Sequence, residues 1–334
     1  MIIDAHGHYT TAPPALKAFR EAQLSGDVDA TMAAVSDDEI RETVENHQLK
    51  ILRERGGDLM LFSPRAAGME HHVADPDVAV AWARVNNDLV HRVAELFPEH
   101  FAPVAQLPQT PDGSLTRVVE ELARCVDELG FVGVNLNPDP SGGLWTAPPL
   151  TDASWFPLYD ALVERDVPAM VHVSASCVPG VHALGALYLN ADTAAFMQLV
   201  QGDLFARYPT LRLVVPHGGG AVPYHWGRYR GLAHRFGWTD PDALLGNVFF
   251  DTCVYHQPGV DLLTRVLPAA NVLFASEMLG AVRGTDPDTG VAWDDTLHYV
   301  DHAGLSDADR AKVVGGNARR VYPRLDRRLT AQGR

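Results

Sequence analysis

Short apolar runs, most of them continuous rather than alternating, punctuate this chain and are separated by longer stretches whose apolar residues recur at helical spacing. Eight such runs stand out, at residues 2–9, 58–63, 102–107, 132–137, 169–174, 212–216, 248–254 and 272–276. Between them, residues 78–96, 115–129, 154–164, 193–206 and 259–267 carry the i, i+3, i+4 recurrence of helices that pack through one face. Continuous apolar strands suit a parallel sheet covered on both faces, and parallel neighbours need crossovers, which the helical stretches supply. The alternation predicts an α/β fold, a single (β/α)8 TIM-type barrel, in preference to an open doubly wound sheet. Polar residues end the first, fifth, sixth and eighth runs, and closure is what brings the first and eighth to one mouth.

Residues 11–52 are too many for one crossover and are polar and partly helical, which predicts an insertion between strands 1 and 2 lying over the mouth. Two further long loops, 137–151 and 278–294, are expected to border the same opening. No break in composition divides the 334 residues, so one domain spanning 1–334 is expected, and 46% apolar content suffices for its core.

The run ends carry the chemistry. His6 and His8 stand two apart on the first strand and so project to one side, where both can hold one metal ion. With 15 histidines in the chain such a pair is weak alone; it gains weight from His172, His217 and Glu277 at the ends of later runs. His172 is the expected third imidazole ligand, and three imidazoles leave room for a carboxylate and water at a catalytic zinc. Glu277 can bind the metal, take a proton from water, or do both; its plainer role is a carboxylate at a helix N-terminus. His217, in Pro216-His217-Gly218-Gly219-Gly220, reads as a fourth ligand or a proton-transfer group, with proton transfer or substrate orientation preferred. Asn135 and Asn137 stand where a carbamylated lysine would bridge two metals, which argues for one ion per chain.

Lys50, Arg65, Arg228 and Arg283 are candidate carboxylate clamps, Arg65 and Arg283 the better placed. Tyr188 reads equally as a hydrogen-bond donor at the mouth or a core aromatic. A formal charge of −15 excludes nucleic acid and anionic membrane as partners but allows an anionic small molecule held by a local field. Cys125, Cys177 and Cys253 lie far apart and fit reduced thiols. Without an 18-residue apolar stretch or a basic leader, a soluble cytoplasmic protein is expected.

Assembled, these residues resemble the amidohydrolase superfamily, in its branch of metal-dependent decarboxylases and hydratases. The resemblance rests on His6-x-His8, His172, Pro216-His217-Gly218-Gly219 and Gly316-Asn317-Ala318-Arg319-Arg320, and covers the whole barrel. Many members end the eighth strand in Ser-Asp or Thr-Asp, whereas this chain has Ser276-Glu277. That ending, with His6 to Pro13 and Phe62-Ser63-Pro64-Arg65-Ala66, is similar to the 4-oxalomesaconate hydratases of protocatechuate and gallate catabolism. The resemblance implies Zn2+, or Mn2+ or another divalent ion, held by His6, His8, His172 and Glu277. It also implies water addition to an unsaturated keto-tricarboxylate by Glu277, His217 and Tyr188, with Lys50, Arg65 and Arg283 binding the substrate. Three alternatives stand beside it: a metal-dependent decarboxylase of an aromatic or unsaturated carboxylate, a hydrolase of a lactone or amide, and a non-catalytic polyacid-binding barrel. A homo-oligomer is compatible with all of them.

Overall fold

The eight apolar runs all become strands. In the computed structural model, which describes residues 1–334 other than 28 and 74, they are β1 (Ile3–Tyr9), β2 (Leu59–Pro64), β3 (Phe101–Gln106), β4 (Gly133–Leu136), β5 (Ala169–Val171), β6 (Leu213–Val215), β7 (Val248–Asp251) and β8 (Val272–Leu273). They pair in parallel and in chain order. The far edge returns to the first strand: the Ala5 amide donates to the Phe274 carbonyl at 2.9 Å and the Glu277 amide to the His6 carbonyl at 2.9 Å. The Asp4 carboxylate adds a side-chain staple, accepting from the Ser276 amide at 3.0 Å and from its hydroxyl. The architecture is an α/β barrel of the TIM type.

Closure explains why the runs are apolar throughout. One face of each strand fills the interior, as Ile3, Leu59, Leu61, Val104, Met170 and Phe249 do, and the other packs against helices, as Met60, Phe62, Val134, Val171 and Phe250 do. Each such side chain, buried fully, contributes about 1.5–3 kcal/mol relative to exposure.

Between β1 and β2 lie α1 (Pro14–Leu24), α2 (Asp37–Glu45), opened by a Ser36–Glu39 capping box, and α3 (Gln48–Glu54). Gln48 ties this stretch, which contains undescribed residue 28, to the end of β1 by donating to the His8 carbonyl at 3.2 Å. Then come α4 (Pro76–Leu96), α5 (Thr116–Ala123), which widens into a π-turn at Arg124–Glu128, and α6 (Phe156–Glu164). The expected helix at 193–206 is displaced: α7 runs Gly185–Gln201 and a separate short α8 spans Leu204–Arg207. Its start gives no capping signal, since Leu184 stands at the N-cap with no side-chain bond, and glycine opens the first turn. Beyond it come α9 (Trp226–Phe236), α10 (Pro241–Leu244) and α11 (Gln257–Val266), and after β8 the helices α12 (Thr296–Asp301), α13 (Asp307–Ala311), α14 (Asn317–Val321) and α15 (Pro323–Ala331), of which α14 packs on β8. Among the described residues no helix is long and apolar enough to cross a membrane.

Candidate active site

Strict alternation along β1 would place His6 and His8 with Asp4, on the face opposite Ile3 and Ala5. The strand does not alternate strictly. Asp4 pairs with Met60 and Gly7 with Phe62, so three steps on β1 oppose two on β2, a bulge-like extra residue. Ile3 and Ala5 therefore point into the barrel below the irregularity, and His6 and His8 lie above it, both buried at the mouth.

Each imidazole is anchored through Nδ1 by an acceptor. His6 Nδ1 bonds Asp251 Oδ2 at 2.8 Å, His8 Nδ1 bonds Ser63 Oγ at 2.8 Å and the Pro64 carbonyl at 3.2 Å, and His172 Nδ1 bonds the Val173 carbonyl at 2.8 Å. Carboxylates and carbonyls cannot donate, so the hydrogen resides on Nδ1 and the Nε2 lone pairs face inward. They converge: His8 Nε2 lies 3.0 Å from His6 Nε2 and 3.3 Å from His172 Nε2. Burial first, and then the neighbouring imidazoles, hold His8 and His172 well below the ordinary histidine range, so neither gains a proton to relieve the crowding. A tetrahedron of nitrogens ~2.0–2.1 Å from zinc has edges of about 3.3 Å, close to these separations. The donor set fits a divalent cation.

Glu277 and His217 stand beside two of these imidazoles: ligand atoms of His6, His172, His217 and Glu277 all lie within 4.8 Å of one another. Glu277 Oε2 accepts from the Tyr255 hydroxyl at 2.7 Å and lies 3.8 Å from His217 Nε2. His217 Nδ1 bonds Asp192 Oδ2 at 2.9 Å, while its Nε2 is buried without a hydrogen-bond partner. Burial opposes charge on this ring, but the Asp192 carboxylate outweighs it and holds the imidazole above its ordinary value. Tyr188 stacks on it, centroids 5.2 Å apart and planes at 26°, and sits four residues before Asp192 on α7. His217, Tyr255 and Glu277 all take positive φ, at 50°, 65° and 48°, a conformation that costs non-glycine residues about 1–3 kcal/mol each.

The cavity above this cluster has two lobes that share Tyr188, Glu277 and Ala281. A small one of about 90 Å³ is lined by His8, Thr10, Arg65 and His172. A larger one of about 540 Å³ lies towards α11, lined by His217, Tyr255, Leu262, Leu263 and Val282. The 278–294 loop borders both, as expected from its length. Of the four candidate clamps, Arg65 alone lines these lobes.

The other three line neither lobe. Lys50 is exposed on α3, facing Glu54 at 3.9 Å one turn on, because the buried face of that short helix is taken by Gln48, Leu49 and Leu52. Arg283 folds back to donate to the Leu279 and Gly280 carbonyls of its own loop, and Arg228 is exposed on α9. Sequence reading missed Asp192, Asp251 and Tyr255. Asp251 had a signal, standing after Val248-Phe249-Phe250 in the seventh run, whereas Asp192 had none because its helix was placed too late.

The family model described as Amidohydrolase matches residues 3–324. A 2-keto-4-carboxy-3-hexenedioate hydratase from Sphingobium sp. is 57% identical over 338 residues, covering 100% of this chain and 99% of that protein. A gamma-resorcylate decarboxylase from Polaromonas sp. is 26% identical, with 84% and 87% covered. Among solved structures, the 4-oxalomesaconate hydratase of Rhodopseudomonas palustris aligns with a TM-score of 0.92 and 52% identity over 100% of this chain and 99% of its own. The 5-carboxyvanillate decarboxylase of Sphingomonas paucimobilis aligns at 0.72 with 21% identity over 96% and 98%, a likeness of fold alone.

Proposed function

The chain belongs to the amidohydrolase family, and from that premise we propose that it is a zinc-dependent hydro-lyase that adds water to 4-oxalomesaconate or a tautomer of it, giving 4-carboxy-4-hydroxy-2-oxoadipate. The observation that carries the reading is the convergence of three imidazole lone pairs beside a buried carboxylate, in a chain 57% identical to a hydratase.

His6, His8, His172 and Glu277 would hold the ion, which when bound supplies Lewis-acid chemistry and lowers the pKa of water towards ~7. His217 is assigned to proton transfer, because Asp192 occupies its Nδ1 and leaves Nε2 aimed at the reacting space. In the forward direction the water oxygen bonds to one alkene carbon while Glu277 accepts the proton it sheds. The electron pair of the double bond moves towards the conjugated carbonyl, and the adjacent carbon takes its proton from His217 Nε2. The 3.8 Å between His217 Nε2 and Glu277 Oε2 lets the proton return across the site, so each turnover leaves both groups as they began. Tyr255 holds the Glu277 carboxylate, and Tyr188 fixes the plane of the His217 ring. Arg65 presents a cationic fork to one substrate carboxylate. Residues 11–52 are read as an insertion between β1 and β2; Thr10, which directly precedes them, lines the small lobe.

The test is an assay of metal-loaded and metal-stripped protein with 4-oxalomesaconate, following loss of conjugated absorbance and the product mass. Metal-dependent gain of one water is expected. Release of carbon dioxide from aromatic acids without water addition would select the decarboxylase reading, and metal binding without any turnover would select the binding barrel.

A further inference from the structure

Of the three converging imidazoles, His6 alone is anchored by a carboxylate; His8 and His172 rest on a hydroxyl and on carbonyls. The partner, Asp251, ends β7 and is fully buried. Its second oxygen, Oδ1, accepts from the Gly218 amide at 3.0 Å and the Cys253 amide at 3.0 Å. Those two bonds hold the carboxylate so that Oδ2 faces His6, and one of them pins the turn directly after His217. Asp251 touches no part of the reacting space; it acts through the groups it holds.

We propose that Asp251 is the positioning residue of the centre: it fixes His6 as the Nδ1–H tautomer, and the metal affinity of the site depends on it more than on the anchors of the other imidazoles. The inference rests on the metal site proposed above. A carboxylate partner both locks the ring orientation and raises the basicity of the opposite nitrogen, whereas a hydroxyl or carbonyl chiefly orients. The alternative use of the same atoms is a second cation between His6 Nδ1, Asp251 and Cys253, whose sulfur lies 3.8 Å from that nitrogen. That use would require His6 to lose the Nδ1 hydrogen.

Two measurements decide. Nitrogen-detected NMR of the metal-free wild type, labelled at histidine, reads the His6 tautomer directly: Nδ1–H is expected, and Nε2–H would overturn the proposal without any variant. Zinc affinity is then measured by chelator competition for the wild type, Asp251→Asn and Ser63→Ala, with a thermal melt of each metal-free protein to establish that it is folded. The asparagine is expected to weaken zinc binding by roughly 10–100-fold. The alanine should weaken it less, because His8 keeps the Pro64 carbonyl. Unchanged affinity in a folded Asp251→Asn protein, equal losses in both variants, or two zinc ions per wild-type chain would each refute the positioning role. Failure of the wild type to bind zinc at all would instead bring down the metal site itself.

Discussion

At the scale of single residues, the site concentrates buried charge and backbone strain on few groups. Glu277 carries both: it is 3% exposed, at φ 48°, and bonded by Tyr255. Glu277→Gln keeps the shape and removes the proton acceptor proposed above, so kcat should fall by roughly 10²–10⁴-fold, the usual share of general acid–base catalysis, with a wild-type melting curve. Full activity in that variant would take Glu277 out of the chemistry. The clamps separate as cleanly. Arg65→Met should raise KM by about 10–100-fold, as loss of a charge-assisted bond of ~1.5–3 kcal/mol implies, whereas Arg283→Met, whose guanidinium is spent on its own loop, should leave KM in place. Steady-state kinetics of the pair checks both. Residue types at run ends were enough to bring His6, His8, His172, His217 and Glu277 forward as candidates, and the fold brings them together at the mouth. They could not tell Arg65 from Lys50, since both are basic residues near a strand end and only packing decides which one turns inward.

Elements show where a periodic pattern suffices and where it fails. All eight strands were legible because a barrel strand buries both faces, and a short apolar run is the direct imprint of that burial. The bulge in β1 was not legible, although it decides which way His6 and His8 point. Gly7 marks it: a Cβ there would lie 2.2 Å from Met60 Sδ and 3.1 Å from the Leu61 carbonyl. Gly7→Ala should therefore cost about 1–3 kcal/mol of stability through overpacking and also weaken zinc binding by shifting the flanking histidines. Denaturant midpoints and metal titration read the two effects, and a variant wild-type in both would show that Met60 repacks without moving β1. Likewise α7 lacks a capping residue, so its first two turns, with Tyr188 and Asp192, were placed outside any helix.

The whole molecule adds terms that no single element contains. His71 is buried in the loop after β2, its Nε2 bonded to the Leu107 carbonyl at 3.1 Å and its Nδ1 accepting from Asn137 at 2.8 Å. Burial lowers this imidazole to about 4 from the ordinary 6.5. The unfolded chain then binds more protons between pH 6.5 and 4, so the contribution of His71 to stability is full above that window and is lost on acidification through it. Asp4 and Asp192, each raised by burial to about 6, run the opposite way between pH 3.8 and 6. Comparison with His71→Gln isolates the first effect: the wild type should lose about 2 kcal/mol more than the variant between pH 7 and pH 5. Parallel urea midpoints for the two proteins would refute it. Metal-free protein suits this measurement, since zinc at a hundred times its dissociation constant would add ~2.7 kcal/mol of its own.

Sequence alone determined the number and order of strands, the barrel, and which imidazole and carboxylate side chains stand at its mouth. These follow from local rules, burial of apolar runs and the narrow chemistry of metal ligands, and each is written in a few adjacent residues. Tertiary structure decided what depends on contacts between distant segments: the closure of β8 onto β1 through Asp4, the anchoring of His6 by Asp251 across 245 positions, and the pairing of His217 with Asp192. A carboxylate reads alike in sequence whether it caps a turn, staples a barrel or orients a ligand; the group it faces once the chain has closed sets its role.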